Sequence, residues 1–279
     1  MEKAKNTFIK DDQRRRKWRL IAINALALMG AFAVAGLMGF VHFKRSEMHC
    51  YGVEVRIEQN NGSIFITEES VLQAVNAKND SVVGKVLKDI NTSAIHKRLV
   101  ENPWIAKANV YTAVDGRCIV EVTQRTPIAR VLGSDGSNYY LDQNGYIMPA
   151  SRIGTARVPV FTGEITEPKY LPINTKMHPD SALKTWGLWD DIYVFTGLLQ
   201  QNEFMQAQTE HIVITPQRKF QIVPRVGDHR INIGSIDRLS EKFKKLLTFY
   251  SSTVRTKDLN QYKNINLEYH NQVVCEKVY

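Results

Sequence analysis

The chain has 279 residues, and its 37 basic and 28 acidic side chains give a formal net charge of +9. The basic excess is concentrated before residue 46 and the rest of the chain is close to neutral. Nucleic-acid binding requires basic residues clustered on a folded face, so this charge distribution argues against it. The three cysteines lie too far apart for a zinc site or a disulfide framework.

An uncharged apolar run over residues 20–43 is long enough to cross a lipid bilayer as one helix. It is too long for a cleaved signal peptide, and no Ala-x-Ala cleavage pattern follows it. Eight of the first 19 residues are basic and three are acidic, whereas only Lys44 and Arg45 follow the run closely. The positive-inside rule therefore keeps the N-terminus inside and exports residues 46–279. The residues expected at the membrane interface, against lipid, are Arg14, Arg15, Arg16, Lys17, Trp18 and Arg19.

The next ~75 residues predict the element order β-α-α-β-β. Residues 51–58 alternate apolar and polar side chains, as a half-buried strand does. Thr67 caps a first helix, and a second helix begins near Thr92 and ends before Pro103. Two further strands are predicted over residues 104–111 and 117–124. Together these elements form a three-stranded sheet covered by two helices.

The remainder of the chain predicts a second α+β domain. Asn144 and Gly145 between two apolar runs favour a type I′ hairpin turn. Residues 190–202 and 236–251 carry apolar side chains at helical spacing. Strands are predicted over residues 211–215, 220–223, 265–269 and 272–278.

The last of these strands, residues 272–278, is predicted at or near a sheet edge. It contains no proline, and Glu276 and Lys277 are the kind of charges that guard an edge. The alternative, an internal strand paired on both sides, stays open.

Four short segments carry recognisable motifs in a fixed order. Residues 103–110 (PWIAKANV) fit the pattern PWV-x-x-A-x-V except at Ile105, and residues 122–129 (VTQRTPIA) fit V-x-E-R-x-P-x-A except at Gln124. Residues 140–147 (YLDQNGYI) are similar to YLVD-x-x-G, and residues 158–163 (VPVFTG) are similar to LPVLTG. With the basic arm and the apolar run, this order resembles the FtsQ/DivIB cell-division family over nearly the whole chain.

The resemblance implies an α+β fold class. A single transmembrane helix is followed by a POTRA domain (β-α-α-β-β) and a mostly antiparallel β-sheet domain with flanking helices. The expected boundaries are a cytoplasmic arm at 1–19, the helix at 20–43, the POTRA domain at 44–127 and the β domain at 128–279.

The resemblance also implies a role as a non-enzymatic scaffold of the bacterial divisome, in the inner membrane at the septum, with its folded domains in the periplasm. In this family the C-terminal strands take up a segment of FtsB, which travels as a coiled coil with FtsL, and the pair controls septal peptidoglycan synthesis. The POTRA domain is implicated in recruitment through other division proteins. Of the family's R-Y-x-S-G motif, residues 268–272 keep only Tyr269. The expected partner-binding residues are Tyr269, Asn271, Val273, Val274, Cys275, Glu276 and Lys277.

A membrane-anchored cell-wall enzyme or regulator is the main alternative hypothesis. It would use Asp228 and His229, in the most site-like cluster of the chain, although a solvated turn between Val226 and Ile231 explains that cluster more simply. The metalloprotease, serine-hydrolase and phosphate-loop motifs are absent, so we expect no catalytic residue, cofactor or metal site. A transport component with a POTRA domain is a third hypothesis.

The cysteines give no clear signal. Cys118 and Cys275 lie in strand-like alternations, where buried thiols are the simplest interpretation. A bridge between these two stays open for an oxidising compartment. Cys50 lies close to the predicted membrane span.

Overall fold

The structure is a computed structural model, and it describes residues 26, 28–38, 48–59, 62–76, 81–165, 187–253 and 259–278. A helical stretch covers residues 28–38, and its side chains are exposed. Among the described residues, no helix is both long and apolar enough to cross a membrane. The predicted span over 20–43 reaches beyond the described residues, and the basic arm lies wholly outside them.

The N-terminal part of the fold has the predicted β-α-α-β-β order. Thr67 caps the first helix, since its hydroxyl oxygen accepts a hydrogen bond from the Ser70 amide at 3.2 Å. The three strands form one sheet in the order β1-β3-β2. The elements are β1 (Gly52–Glu58), α1 (Glu68–Val75), α2 (Thr92–Val100), β2 (Ile105–Thr112) and β3 (Arg117–Gln124).

The described residues of the C-terminal part form a nine-stranded mixed sheet in the order β12-β11-β10-β9-β8-β7-β4-β5-β6. Five of its strand pairs are antiparallel, and the pairs β4–β7, β7–β8 and β10–β11 are parallel. The strands are β4 (Pro127–Gly133), β5 (Asn138–Asp142), β6 (Ile147–Pro149), β7 (Val160–Gly163), β8 (Thr209–Ile214), β9 (Phe220–Pro224), β10 (Arg230–Gly234), β11 (Tyr262–Asn266) and β12 (Val274–Lys277).

In the described part of the chain, three helices accompany this sheet: α3 (Leu188–Gln200), α4 (Glu203–Gln208) and α5 (Leu239–Thr253). In α3 and in α5 the buried side chains recur at intervals of three and four residues, which places them on one helical face. Phe195 of α3 packs against the rings of Phe220 and Phe243 at centroid distances of 5.2 and 5.5 Å. These helices and the sheet share one apolar core.

The turn between β5 and β6 differs from the prediction. A type I′ turn needs positive φ at both central residues, but of Asn144 and Gly145 only Gly145 has it, at 77°. The carboxylate of Asp142 instead accepts hydrogen bonds from the amides of Asn144 and Tyr146 at 2.9 and 2.7 Å. A side chain that bonds the following backbone selects its own turn geometry, so the hairpin is present with a different turn.

Three strands of the large sheet, β4, β7 and β10, were not predicted. The strand β4 begins at Pro127 and lies between β5 and β7, and its first three residues are all buried, so it starts without the alternation of a half-buried strand. The strands β7 and β10 have only four and five residues. Such short runs give a weak periodic signal.

Backbone proximity divides the chain into two compact units. The first comprises the described parts of 1–54, 76–93 and 110–119, and the second comprises those of 55–75, 94–109 and 120–279. The second unit contains the whole nine-stranded sheet and its helices. The predicted domain boundaries at 44–127 and 128–279 stay a prediction.

Candidate functional site

The strand β12 lies at the end of the nine-stranded sheet, as the sequence predicted. It pairs with β11 in antiparallel register, with Cys275 opposite Ile265 and Glu276 opposite Asn264. Among the described residues, no strand pairs with its other side. An unpaired strand edge presents a row of backbone donors and acceptors to another chain.

The hydrogen bonds around the hairpin show which backbone groups face outward. The Val278 amide donates to the Gln261 carbonyl at 2.9 Å, so this end of β12 directs its amide inward. Successive residues of a strand alternate in direction, and in an antiparallel pair both polar groups of a residue face the same side. Cys275 and Lys277 therefore present their backbone N–H and C=O groups to the open edge.

The hydrogen bonds of β11 lead to the same assignment of inward and outward residues. The Leu267 amide donates to the Asn232 carbonyl of β10 at 2.9 Å, away from β12. By the same alternation, Asn264 and Asn266 turn their backbone groups towards β12. They lie opposite Glu276 and Val274, the two residues of β12 that face inward.

The predicted partner-binding residues lie together on this hairpin. Val273 and Cys275 pack against the core, and burial raises the pKa of the Cys275 thiol. Val274 and Tyr269 are 44% and 50% exposed. Asn271 adopts a left-handed conformation with φ of 55° in the turn. The side chains that are exposed to solvent are Tyr269, Asn271, Val274, Glu276 and Lys277.

Charge at the edge is partly neutralised within the hairpin. The Lys263 ammonium lies 3.5 Å from the Glu276 carboxylate, with both side chains exposed. An exposed pair of this kind contributes little to stability. It places one charge of each sign on the surface of the β11–β12 hairpin, together with the exposed Lys277.

The opposite end of the sheet offers a poorer edge. There β6 has only three residues, and its last residue is Pro149, which has no backbone N–H to donate. Short strands and prolines are two of the devices that block edge-to-edge pairing. Of the two ends of the described sheet, β12 is therefore the one suited to accept a strand.

A residue that the sequence analysis missed holds the turn before β12. The ammonium of Lys245 in α5 donates hydrogen bonds to the carbonyl oxygens of Leu267, Tyr269 and Gln272 at 3.0, 2.6 and 3.3 Å. Burial, and then the nearby charge of Arg238, lowers the pKa of Lys245. The amino-acid pattern carries no signal for this contact, because Lys245 lies on a different element at least 22 positions away.

The alternative site at Asp228 and His229 is not assembled as a catalytic pair. Asp228 is exposed, whereas His229 is 1% exposed and its Nε2 lies 2.8 Å from the Tyr250 hydroxyl. Burial lowers the pKa of His229 and raises that of Tyr250 to about 12. The predicted solvated turn is therefore wrong for His229, which is a core side chain, and Arg230 begins a strand.

Other candidate chemistry is limited within the described residues. No group of three or more histidine, cysteine or acidic side chains there is placed to hold a metal ion. Cys50, Cys118 and Cys275 are free thiols, so no bridge joins Cys118 to Cys275. Burial raises the pKa of Cys118 to about 11, which makes it a poor nucleophile.

Comparison with known protein families matches both parts of the fold. A family model described as FtsQ/DivIB, C-terminal related, matches residues 126–276. A model described as a POTRA-like domain matches residues 48–123. A search of curated proteins gives no match. Since the first model covers more than half of the chain, the protein belongs to the FtsQ/DivIB family of cell-division proteins.

Proposed function

We propose that the protein is a non-enzymatic, single-pass scaffold of the bacterial divisome whose β12 edge binds a strand of a partner protein. Family membership supports the role in cell division. The observation that carries the proposal is the open backbone edge of β12. Strand addition to such an edge gives affinity through main-chain hydrogen bonds and specificity through neighbouring side chains.

We propose an FtsB-like protein, bound with its FtsL-like companion, as the occupant of this edge. Cys275 and Lys277 offer the outward backbone groups, and Val274 in β12 and Tyr269 in the preceding turn offer exposed apolar surface on the same hairpin. Glu268, which replaces the arginine of the family motif, is paired with Lys219 at 2.9 Å. The partner is therefore expected to differ in its complementary charges from partners that face an arginine here.

The remaining parts of the proposal concern location. We propose that residues 20–43 span the inner membrane with the basic arm in the cytoplasm, since the apolar length and charge asymmetry favour it. The folded domains then lie in the periplasm at the septum, where the edge is placed to influence septal peptidoglycan synthesis. The POTRA-like part, residues 48–123, serves recruitment through other division proteins.

Substitution of Lys277 tests the strand-addition proposal. Proline at this position removes an outward N–H and adds a ring at the open edge. The N–H groups of β12 that bind β11 are unchanged. In the full-length protein, Lys277→Pro should abolish co-purification of the FtsB/FtsL-like pair of the same organism. Lys277→Ala is the matched control, because it removes the charge and keeps the backbone donor.

Two outcomes decide this test. Thermal unfolding of both variants should stay within about 3 °C of the wild type, which would show that the sheet is intact. If Lys277→Pro captures the FtsB/FtsL-like pair as well as Lys277→Ala does, pairing at this edge is refuted.

The non-enzymatic role is tested separately by Asp228→Ala, which should support cell division as well as the wild type does.

A further inference from the structure

The helix α5 gives Lys245 a rigid base. Leu239, Phe243, Leu246 and Tyr250 bury one face of this helix in the core, and Leu246 is fully buried. Lys245 precedes Leu246 directly and is half-buried, with its ammonium directed at the segment between β11 and β12. A side chain on a helix fixed in this way can hold a more exposed segment in place.

The segment between β11 and β12 supplies an acceptor for each N–H donor of the Lys245 ammonium. A lysine has three N–H donors and no acceptor. Here the three carbonyl oxygens within hydrogen-bond distance belong to Leu267, Tyr269 and Gln272. Each is a charge-assisted hydrogen bond, which is stronger than one between neutral groups.

The three carbonyl groups lie where the chain leaves β11, turns and enters β12. Leu267 directly follows β11 and is fully buried, whereas Tyr269 and Gln272 flank the exposed turn that contains Asn271. After Gln272 only Val273 remains before β12 begins. The ammonium therefore connects the end of β11, the turn and the start of β12 to one point of α5.

Few other contacts hold β12 in place. Its four residues pair only with β11 among the described strands, and three of their side chains are exposed. Segments with few buried contacts open locally at low cost. A strand that is already fixed loses less conformational entropy when a partner strand pairs with it.

We propose that Lys245 is a positioning residue for partner binding, which fixes β12 in the conformation that accepts an added strand. The inference rests on the proposed function and deepens it, because it identifies the side chain that holds β12 in its binding conformation. Lys245 itself contacts the turn, not the open edge. Its effect on the partner is exerted through the backbone of residues 267–273.

Three full-length variants test this role. Lys245→Met keeps the length of the side chain and removes all three donors, whereas Lys245→Arg keeps the charge and donors in a planar group. Lys244→Met is the matched control, since Lys244 neighbours Lys245 on the same helix, is exposed, and donates to none of these carbonyls. The affinity for the FtsB-like protein of the same organism and the hydrogen exchange of the backbone amides are measured.

Lys245→Met should weaken binding at least fivefold and speed amide exchange in residues 267–278 while leaving β8 to β10 protected. Lys245→Arg should recover part of the affinity, and Lys244→Met should match the wild type. A loss below fivefold, no recovery with arginine, or faster exchange throughout the second unit would overturn the inference. Lys277→Pro separates the two proposals: if it still captures the partner, the strand-addition function fails, whereas exchange in Lys245→Met still reports on the turn.

Discussion

Gln124 shows how one amide replaces the carboxylate that the family motif leads one to expect. Its Oε1 accepts hydrogen bonds from the amides of Phe65 and Ile66 at 2.8 and 3.2 Å, and its Nε2 donates to the Ser63 carbonyl at 2.8 Å. The side chain is 1% exposed. A glutamate could serve the two amides, but it could not donate to the carbonyl. The neutral side chain therefore suits this buried position better than the charged one.

Gln124→Glu should destabilise the protein by about 2–4 kcal/mol, because it buries a charge and leaves the Ser63 carbonyl without its donor. Urea unfolding at neutral pH measures the loss. Gln143→Glu makes the same chemical change at an exposed position and should alter stability by less than about 0.5 kcal/mol. Equal stability of the two variants would contradict the role assigned to Gln124.

His229 links stability to pH. Burial lowers its pKa in the folded protein below the ordinary value of about 6.5, so the unfolded chain binds the proton more readily. The stability that the neutral ring contributes is fully present above pH 6.5 and is lost as the pH falls from there towards the lowered pKa. His229→Gln should therefore lose less stability than the wild type between pH 7.5 and pH 5.5 in urea unfolding. Parallel losses in the two proteins would show that His229 does not titrate in this way.

At the scale of elements, the sequence predicted best where one face of an element is buried. The helices α2, α3 and α5 carry apolar residues at intervals of three and four, and each lies within a few residues of its predicted position. The strand β4 begins with three consecutive buried residues, and Asp142 selects the turn after β5 with its own side chain. Those two features depend on neighbours that are distant in sequence or on side-chain geometry, so periodicity does not reveal them.

Gly163, at the end of β7, marks a position where the sheet tolerates no side chain. Its φ is 114°, and a Cβ built there would lie 2.2 Å from the Ile214 carbonyl oxygen of β8. Gly163→Ala should therefore cost at least about 2 kcal/mol in urea unfolding, through strain and a backbone clash. Gly197→Ala is the matched control inside α3, where a Cβ meets no atom within 4 Å. That change should leave stability equal or raise it by up to about 1 kcal/mol, and similar losses in both would contradict the argument.

At the scale of the whole molecule, the sequence predicted where the candidate site lies but not the Lys245 contact that holds it in place. The order of motifs along the chain points to the C-terminal hairpin, and β12 lies at the sheet edge as expected. Lys245 could not be found in that way, because only folding brings α5 against residues 267–272. Likewise the residues around His229 have the composition of a solvated turn, whereas the folded chain places this ring in the core.

The proposed topology gives a prediction for the intact protein in cells. If residues 20–43 cross the membrane with the arm inside, a protease added to spheroplasts should degrade the folded domains and leave an N-terminal fragment of about 45–50 residues. A tag before residue 1 identifies that fragment on a blot. Full-length protein that resists the protease until the membrane is lysed would contradict the proposed orientation.

The place of β12 in chain order has a consequence for biosynthesis. This strand follows the eight other described strands of its sheet along the chain, so the ribosome makes it after all of them. A polypeptide terminated before Val274 ends the sheet at β11 and lacks the backbone groups of Cys275 and Lys277. If the partner binds at β12 as proposed, recruitment would select molecules in which this sheet is complete, because a product terminated before β12 lacks the proposed binding edge.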